Sequence, residues 1–204
     1  MTVGGKGVRL TQDDEVITYA SRSLEPVRGF HMFMRALPEI LRRRPNAHVV
    51  LMGKEAASYG QEPRDAKSWL EKLMGEVGAE LDAKRVHVVG FLPRESYRAM
   101  LQLSDAHVYL TYPFVLSWSV VEALSCGARL VGSNVGPVRE VMPAGSEPYM
   151  FDFFDQQGLV DSVCRALTRK KAERTAESRA ARALVKKGYS TELQVKALMR
   201  LFKG

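Results

Sequence analysis

The sequence predicts an α/β protein, a doubly wound parallel sheet of about six strands flanked by helices. Three observations carry this. Short β-branched runs alternate with longer segments of helical period, the connections between them are short, and 46% hydrophobic against 26% charged residues over 204 positions is enough apolar material for a real core.

Residues 1 to 14 read as a soluble lead-in, and Glu15 to Ala20 (EVITYA) as the first strand. Phe30, Phe33, Met34, Leu37, Ile40 and Leu41 then recur at helical spacing, so Gly29 to Arg43 is an amphipathic helix that Pro45 and Asn46 stop. Ala47 to Met52 is the second strand, and Trp69, Leu70, Leu73 and Met74 mark the helix of the next crossover, which Gly75 and Gly78 end. Val86 to Gly90 is the third strand, followed by a helix over Glu95 to Leu103. Ala106 to Leu110 is the fourth. A short apolar helix, Ser119 to Ser125, ends at Cys126-Gly127, a left-handed cap. Arg129 to Ser133 and Pro148 to Phe151 complete the sheet. After Phe154 only helical patterns remain: Gln156 to Thr168, Arg169 to Lys187 and Thr191 to Lys203. The chain thus divides into 1–14, a sheet domain 15–168, and C-terminal helices 169–204.

The net charge of +7 is unevenly placed. Arg165 to Gly204 carries 12 basic and 3 acidic residues, leaving 18 basic against 20 acidic in the body. A nucleic-acid-binding body would spread Lys and Arg over its binding face, so nucleic acid is not an expected partner. Cys126 and Cys164 are too few for a disulfide framework, no apolar run reaches the length of a membrane span, and MTVGGKGVRL lacks a signal-peptide stretch. A reduced, cytoplasmic setting is expected.

In such a sheet, ligands bind beyond the carboxyl ends of the strands. The loops to inspect are 21–29, 53–60, 90–94, 111–119 and 134–140. The first, SRSLEPVRG, holds Arg22 and Arg28 where free N–H groups and the helix dipole already favour an anion, and two guanidinium forks there could neutralise a diphosphate. Each could equally be a solvated loop arginine. In the fourth, Glu122 sits among apolar Val120, Val121, Ala123 and Leu124. A carboxylate in that setting needs a partner, either the vicinal hydroxyls of a ribose or a neighbouring arginine.

SRSLEPVRGF, the VVLMG strand, VVGFLPRESYRAMLQLSDAHVYLTYPF and SWSVVEALSCGARLVGSNVGPVREVM, in that order and spacing, resemble the donor-binding C-terminal half of family 4 glycosyltransferases (glycosyl transferases group 1), enzymes of the GT-B fold, over about residues 15–165. The resemblance implies one Rossmann-like half of that fold, binding a UDP-, GDP- or ADP-linked sugar as substrate, with no cofactor and no bound metal. It implies that Arg22 and Arg28 hold the donor diphosphate as the catalytic pair, that Phe91 and Leu92 receive the nucleobase, and that Ser117, Trp118 and Ser119 offer backbone N–H groups to phosphate. Glu122 matches the second acid of E-x7-E, which binds the ribose. Gly29, Gly53 and Phe114 complete the donor-binding set. One departure stands out: Phe114 occupies the position of the first acid, which in the family contacts donor-sugar hydroxyls.

The implied reaction is a retaining transfer to an acceptor hydroxyl, with an N-terminal acceptor-binding domain outside this chain, so the chain alone is expected to bind nucleotide and to transfer poorly. The rival readings are a nucleotide-binding module without transfer activity and a nucleotide-sugar epimerase on the same fold. In the tail, Leu193, Ala197, Leu198, Leu201 and Phe202 form an apolar face beside Lys196, Arg200 and Lys203. That face is expected to pack on the acceptor domain, the alternative being peripheral contact with anionic lipid at the inner face of the membrane.

Overall fold

A computed structural model of the chain describes residues 1–3, 7–112, 116–168 and 171–202. Phe114 therefore lies outside the described residues. Six strands form one parallel sheet: β3 (Glu15–Ser23), β4 (Ala47–Lys54), β5 (Val86–Gly90), β6 (Ala106–Tyr109), β7 (Leu130–Ser133) and β8 (Met150–Phe151), in the order β5-β4-β3-β6-β7-β8. The register pairs Ile17 with Val49 on one side of β3 and with Ala106 on the other.

Residues 1–14 are more than a lead-in. Thr2–Val3 (β1) and Val8–Arg9 (β2) pair antiparallel, and Leu10 is buried against Val16, Val50 and Ala123. This tie was illegible because the two strands have two residues each, too short for any period.

The central strand β3 is buried on both faces, and its side chains alternate between two cores. Ile17 and Tyr19 meet α1 (Phe30–Arg43), α2 (Trp69–Val77) and α6 (Gln156–Leu167) through Phe30, Phe33, Leu37, Leu73, Leu159 and Val163. Val16 and Ala20 face α3 (Arg94–Leu103) and α4 (Trp118–Cys126) through Met100, Leu101 and Ala123. This two-sided burial explains why Val16, Ile17, Tyr19 and Ala20 do not alternate with solvated residues, and why the one polar side chain among them, Thr18, is buried with Ser104 and His107 as hydrogen-bond partners.

Two further elements depart from the sequence reading. Most of the loop expected over 134–140 belongs instead to a short helix, α5 (Gly136–Val141), which starts on Gly-Pro and buries Val138 and Val141. The basic helix α7 (Lys171–Gly188), whose Ala-, Arg- and Lys-rich sequence with weak amphipathicity predicts a solvated cover over one edge of the domain, is instead tied to it. Arg174 pairs with Asp105, Glu177 with Arg129 at 2.5 Å, and Arg182 donates to the Cys126 carbonyl at 2.8 Å. A Cβ on Gly127 (φ 79°) would lie 2.0 Å from Ser178 Oγ, so α7 closes onto α4 where only glycine fits. The last helix, α8 (Thr191–Leu201), has no buried residue, and Leu201 and Phe202 are 78% and 83% exposed. Among the described residues no helix is long and apolar enough to cross a membrane.

Candidate active site

The strand order reverses between β3 and β6, and the loops that leave their carboxyl ends diverge. There a cavity of about 890 Å³ opens, walled by the ends of β3 and β6, the segments that follow β3, β4, β5 and β6, and the first turns of α3 and α4.

The strand runs three residues further than expected, so Arg22, exposed, stands on the end of β3 rather than in a loop, and the segment after it supplies Arg28, half-buried, both on the wall. Pro26–Arg28 forms a 3-10 turn that Gly29 ends in the left-handed region (φ 70°), its N–H bonding the Pro26 carbonyl at 2.8 Å. Gly29 is not itself on the wall. A Cβ there would lie 2.3 Å from Leu110 Cβ, so this glycine is needed for α1 to start against β6. Arg28 Nη1 donates to Thr111 Oγ1 at 3.1 Å and to Tyr109 Oη at 3.4 Å, and the Tyr59 ring lies 5.6 Å from the guanidinium carbon. Three residues that sequence reading did not single out thus orient Arg28.

Ser117, Trp118, Ser119 and Glu122 enter the cavity from the start of α4. Ser117 is the N-cap: its Oγ accepts the Ser119 backbone N–H at 3.3 Å and the Ser119 hydroxyl at 2.9 Å. Trp118 is 73% exposed at the mouth. Glu122 departs from the expectation of a carboxylate in apolar surroundings. The buried face of α4 consists of Val120, Ala123, Leu124 and Cys126, and Glu122 lies on the exposed side, where it accepts the Tyr97 hydroxyl at 3.2 Å. Burial, and then the Glu122 charge, push the Tyr97 hydroxyl well above its ordinary pKa, so it remains a donor.

Phe91, 61% exposed, and Leu92 line the side below β5, with the Lys54 ammonium 5.8 Å from the Phe91 ring. Gly53 is off the wall: a Cβ there would lie 2.9 Å from both Leu24 Cδ2 and the Ser21 carbonyl, so its bare backbone lets the ends of β3 and β4 lie flush. One further acid went unread in the sequence. Glu25 is 1% exposed and accepts the backbone N–H groups of Ser58, Tyr59 and Gly60 at 3.2, 3.1 and 2.8 Å. An acid beside a proline carries the signal of a solvated turn, and its partners lie more than thirty positions away.

The histidines stand apart from the cavity. His107 is fully buried, its Nδ1 2.8 Å from Thr18 Oγ1, and burial pushes its pKa down to about 4. His48 and His87 stack on each other. Among the described residues no three His, Cys, Asp or Glu side chains gather as metal ligands would.

A match to glycosyl transferases group 1 spans residues 6–183 of the chain. The chain belongs to this family. The yeast (Saccharomyces cerevisiae) phosphatidylinositol N-acetylglucosaminyltransferase GPI3 subunit is 25% identical to this glycosyl transferases group 1 chain over 140 residues, 69% of this chain and 28% of the yeast protein. The Bacillus anthracis N-acetyl-alpha-D-glucosaminyl L-malate synthase is 28% identical over 101 residues, 48% of this chain and 26% of that one. The chain therefore aligns with little more than a quarter of each relative. In structure, it superposes on sucrose-phosphate synthase from Thermosynechococcus elongatus with a TM-score of 0.76 at 20% identity, covering 95% of this chain and 46% of that one. Anabaena HepE, solved with UDP-glucose, gives 0.75 at 20% identity, with 94% and 49% covered. The C-terminal domain of a group 1 glycosyl transferase (LpcC) from Francisella tularensis gives 0.70 at 17%, covering 87% of each. The six-stranded parallel sheet is thus a Rossmann-like unit of the GT-B type.

Proposed function

We infer that this chain is the donor-binding half of a retaining glycosyltransferase of family 4, which moves a sugar from a nucleotide-diphosphate donor to an acceptor hydroxyl. The observation that carries the reading is the convergence of Arg22, Arg28, the start of α4 and Glu122 on one cavity at the sheet's switch point. That constellation has the charge and shape for a nucleoside diphosphate: two guanidinium groups and the positive end of the α4 dipole for phosphate, the Ser117 and Ser119 N–H groups being already taken by Tyr109 Oη and Ser117 Oγ, a carboxylate for ribose hydroxyls, and Phe91 with Leu92 for a base. The UDP-glucose bound to HepE gives the same ligand class a precedent on this fold.

In the reaction the bond from the anomeric carbon to the diphosphate oxygen breaks, that oxygen keeping the electron pair, as the acceptor oxygen bonds to the carbon on the same face and passes its proton to the departing diphosphate. The negative charge that grows on the departing diphosphate is the quantity to stabilise, and Arg22, Arg28 and the α4 N-terminus face it without reorganising. The acceptor arrives from a second domain, the exposed apolar face of α8 being a contact for that domain in preference to a membrane. Phe114 in place of the family's first acid favours one second reading, a module that binds nucleotide without transferring sugar.

Calorimetry with UDP, GDP and ADP and their glucose conjugates tests both. Affinity that depends on the sugar supports the transferase, nucleotide affinity indifferent to the sugar supports the module, and no binding to any of them defeats both.

A further inference from the structure

The buried carboxylate of Glu25 reaches across from one cavity loop to another. It takes three successive backbone N–H groups, those of Ser58, Tyr59 and Gly60. A carboxylate this deep is tolerated only when its oxygens are well supplied with donors, and here the donors belong to a loop with no secondary structure of its own. Two smaller ties lie beside it: Leu24 N–H donates to the Lys54 carbonyl at 2.9 Å, and the Ser23 and Ser58 hydroxyls share a short hydrogen bond. The loops after β3 and β4 are therefore joined along their length. Gly60 fits the joint, since a Cβ there would already press on Glu25 Oε2 at 3.3 Å.

The joint decides where Tyr59 goes. Its backbone is pinned by Glu25, its ring is 54% exposed, and it stands on the cavity wall over the Arg28 guanidinium. We propose that Glu25 is a positioning residue for donor binding: it docks residues 58–60 so that the Tyr59 ring covers Arg28 and holds its fork toward the diphosphate. Glu25 lies on the cavity wall, but its carboxylate is 1% exposed and taken up by the N–H groups of residues 58–60. It acts through Tyr59, which shields one face of the guanidinium from water while Tyr109 and Thr111 fix its edge. This rests on the reading of the cavity as a nucleoside-diphosphate site.

The test uses the 204-residue chain, with UDP, GDP and ADP as probes, and the variants R28A, E25A, E25Q, Y59A, Y59F and E25A/Y59A. Loss of the joint is read first without ligand: amide exchange at 58–60 in E25Q and E25A rises by about tenfold or more over the wild type. For the best-bound nucleotide, Y59A and E25A each lose affinity by about three- to tenfold, Y59F stays near the wild type, and E25A/Y59A is no weaker than E25A alone, because the two act in series. A merely structural Glu25 would give additive losses or none. If E25A does not fold, the E25Q exchange and affinity data carry the same comparison. Wild-type affinity that R28A abolishes but E25Q and Y59A leave intact overturns this proposal and spares the donor-site reading; a wild-type chain that binds no nucleotide overturns both.

Discussion

Arg28 and Tyr109 are joined through the tyrosine hydroxyl, which accepts Arg28 Nη1 at 3.4 Å and, on another side, the Ser117 backbone N–H at 3.0 Å. One oxygen thus connects the arginine loop to the start of α4. Tyr109 is 4% exposed, so its ring is fixed by the core and its hydroxyl is a rigid reference for both elements of the proposed phosphate site. Y109F keeps the ring and removes the acceptor. We expect stability to fall by about 1 kcal/mol and UDP affinity by about three- to tenfold. Calorimetry beside thermal unfolding checks it, and unchanged affinity would show that the two elements are placed independently.

R28A and E122A separate the two ends of the proposed nucleotide. R28A removes a charge-assisted fork and is expected to weaken UDP by about 10- to 100-fold and pyrophosphate in parallel. E122A removes the proposed ribose contact at the rim and weakens UDP by about tenfold while leaving pyrophosphate unchanged. Parallel losses for E122A would deny it the ribose.

Gly29 combines a left-handed backbone with a contact that a methyl group cannot share with Leu110. G29A should cost about 2 to 4 kcal/mol in urea unfolding, and the surviving folded protein should bind UDP less well because the Arg28 turn is displaced.

R174A tests whether α7 is integral to the domain. It would leave Asp105, 7% exposed, without its cation, though Asp105 would still accept the Val16 N–H at 2.9 Å. Burial already raises the Asp105 pKa, and the guanidinium opposes that rise. The expected loss is about 2 to 3 kcal/mol, with no change in nucleotide affinity.

His107 makes folding sensitive to acid. Its folded pKa of about 4 lies below the ordinary 6.5, so the unfolded chain binds the proton more tightly. Its contribution is intact above pH 6.5 and is lost as pH falls toward 4, at most about 3 kcal/mol. His31 and His87 are lowered in the same direction, again mainly by burial. An H107N variant should lose less stability than the wild type between pH 6.5 and 4 in matched urea titrations; identical slopes would exclude His107 as the source.

The order of strands and helices was legible because each leaves a local period. Phe30 through Leu41 repeat at the spacing of one helix face, and the glycine at 127 marks a helix end whose left-handed backbone it adopts readily. The convergence of Arg22, Arg28 and Glu122 was legible because they lie at or just beyond the carboxyl ends of strands, which any doubly wound sheet brings to one edge. The environment of each was not. The exposure of Glu122, the bond from Tyr97 to it, and the seating of α7 on Gly127 depend on contacts between segments far apart in the chain. Glu25 is the sharpest case. The sequence by itself determined the fold, the cavity's position and the cations that face it, since period and turn chemistry are local. Only the tertiary structure decided that an acid beside a proline is buried and holds Tyr59 over Arg28, since the energy of a carboxylate depends on the donors that surround it in space.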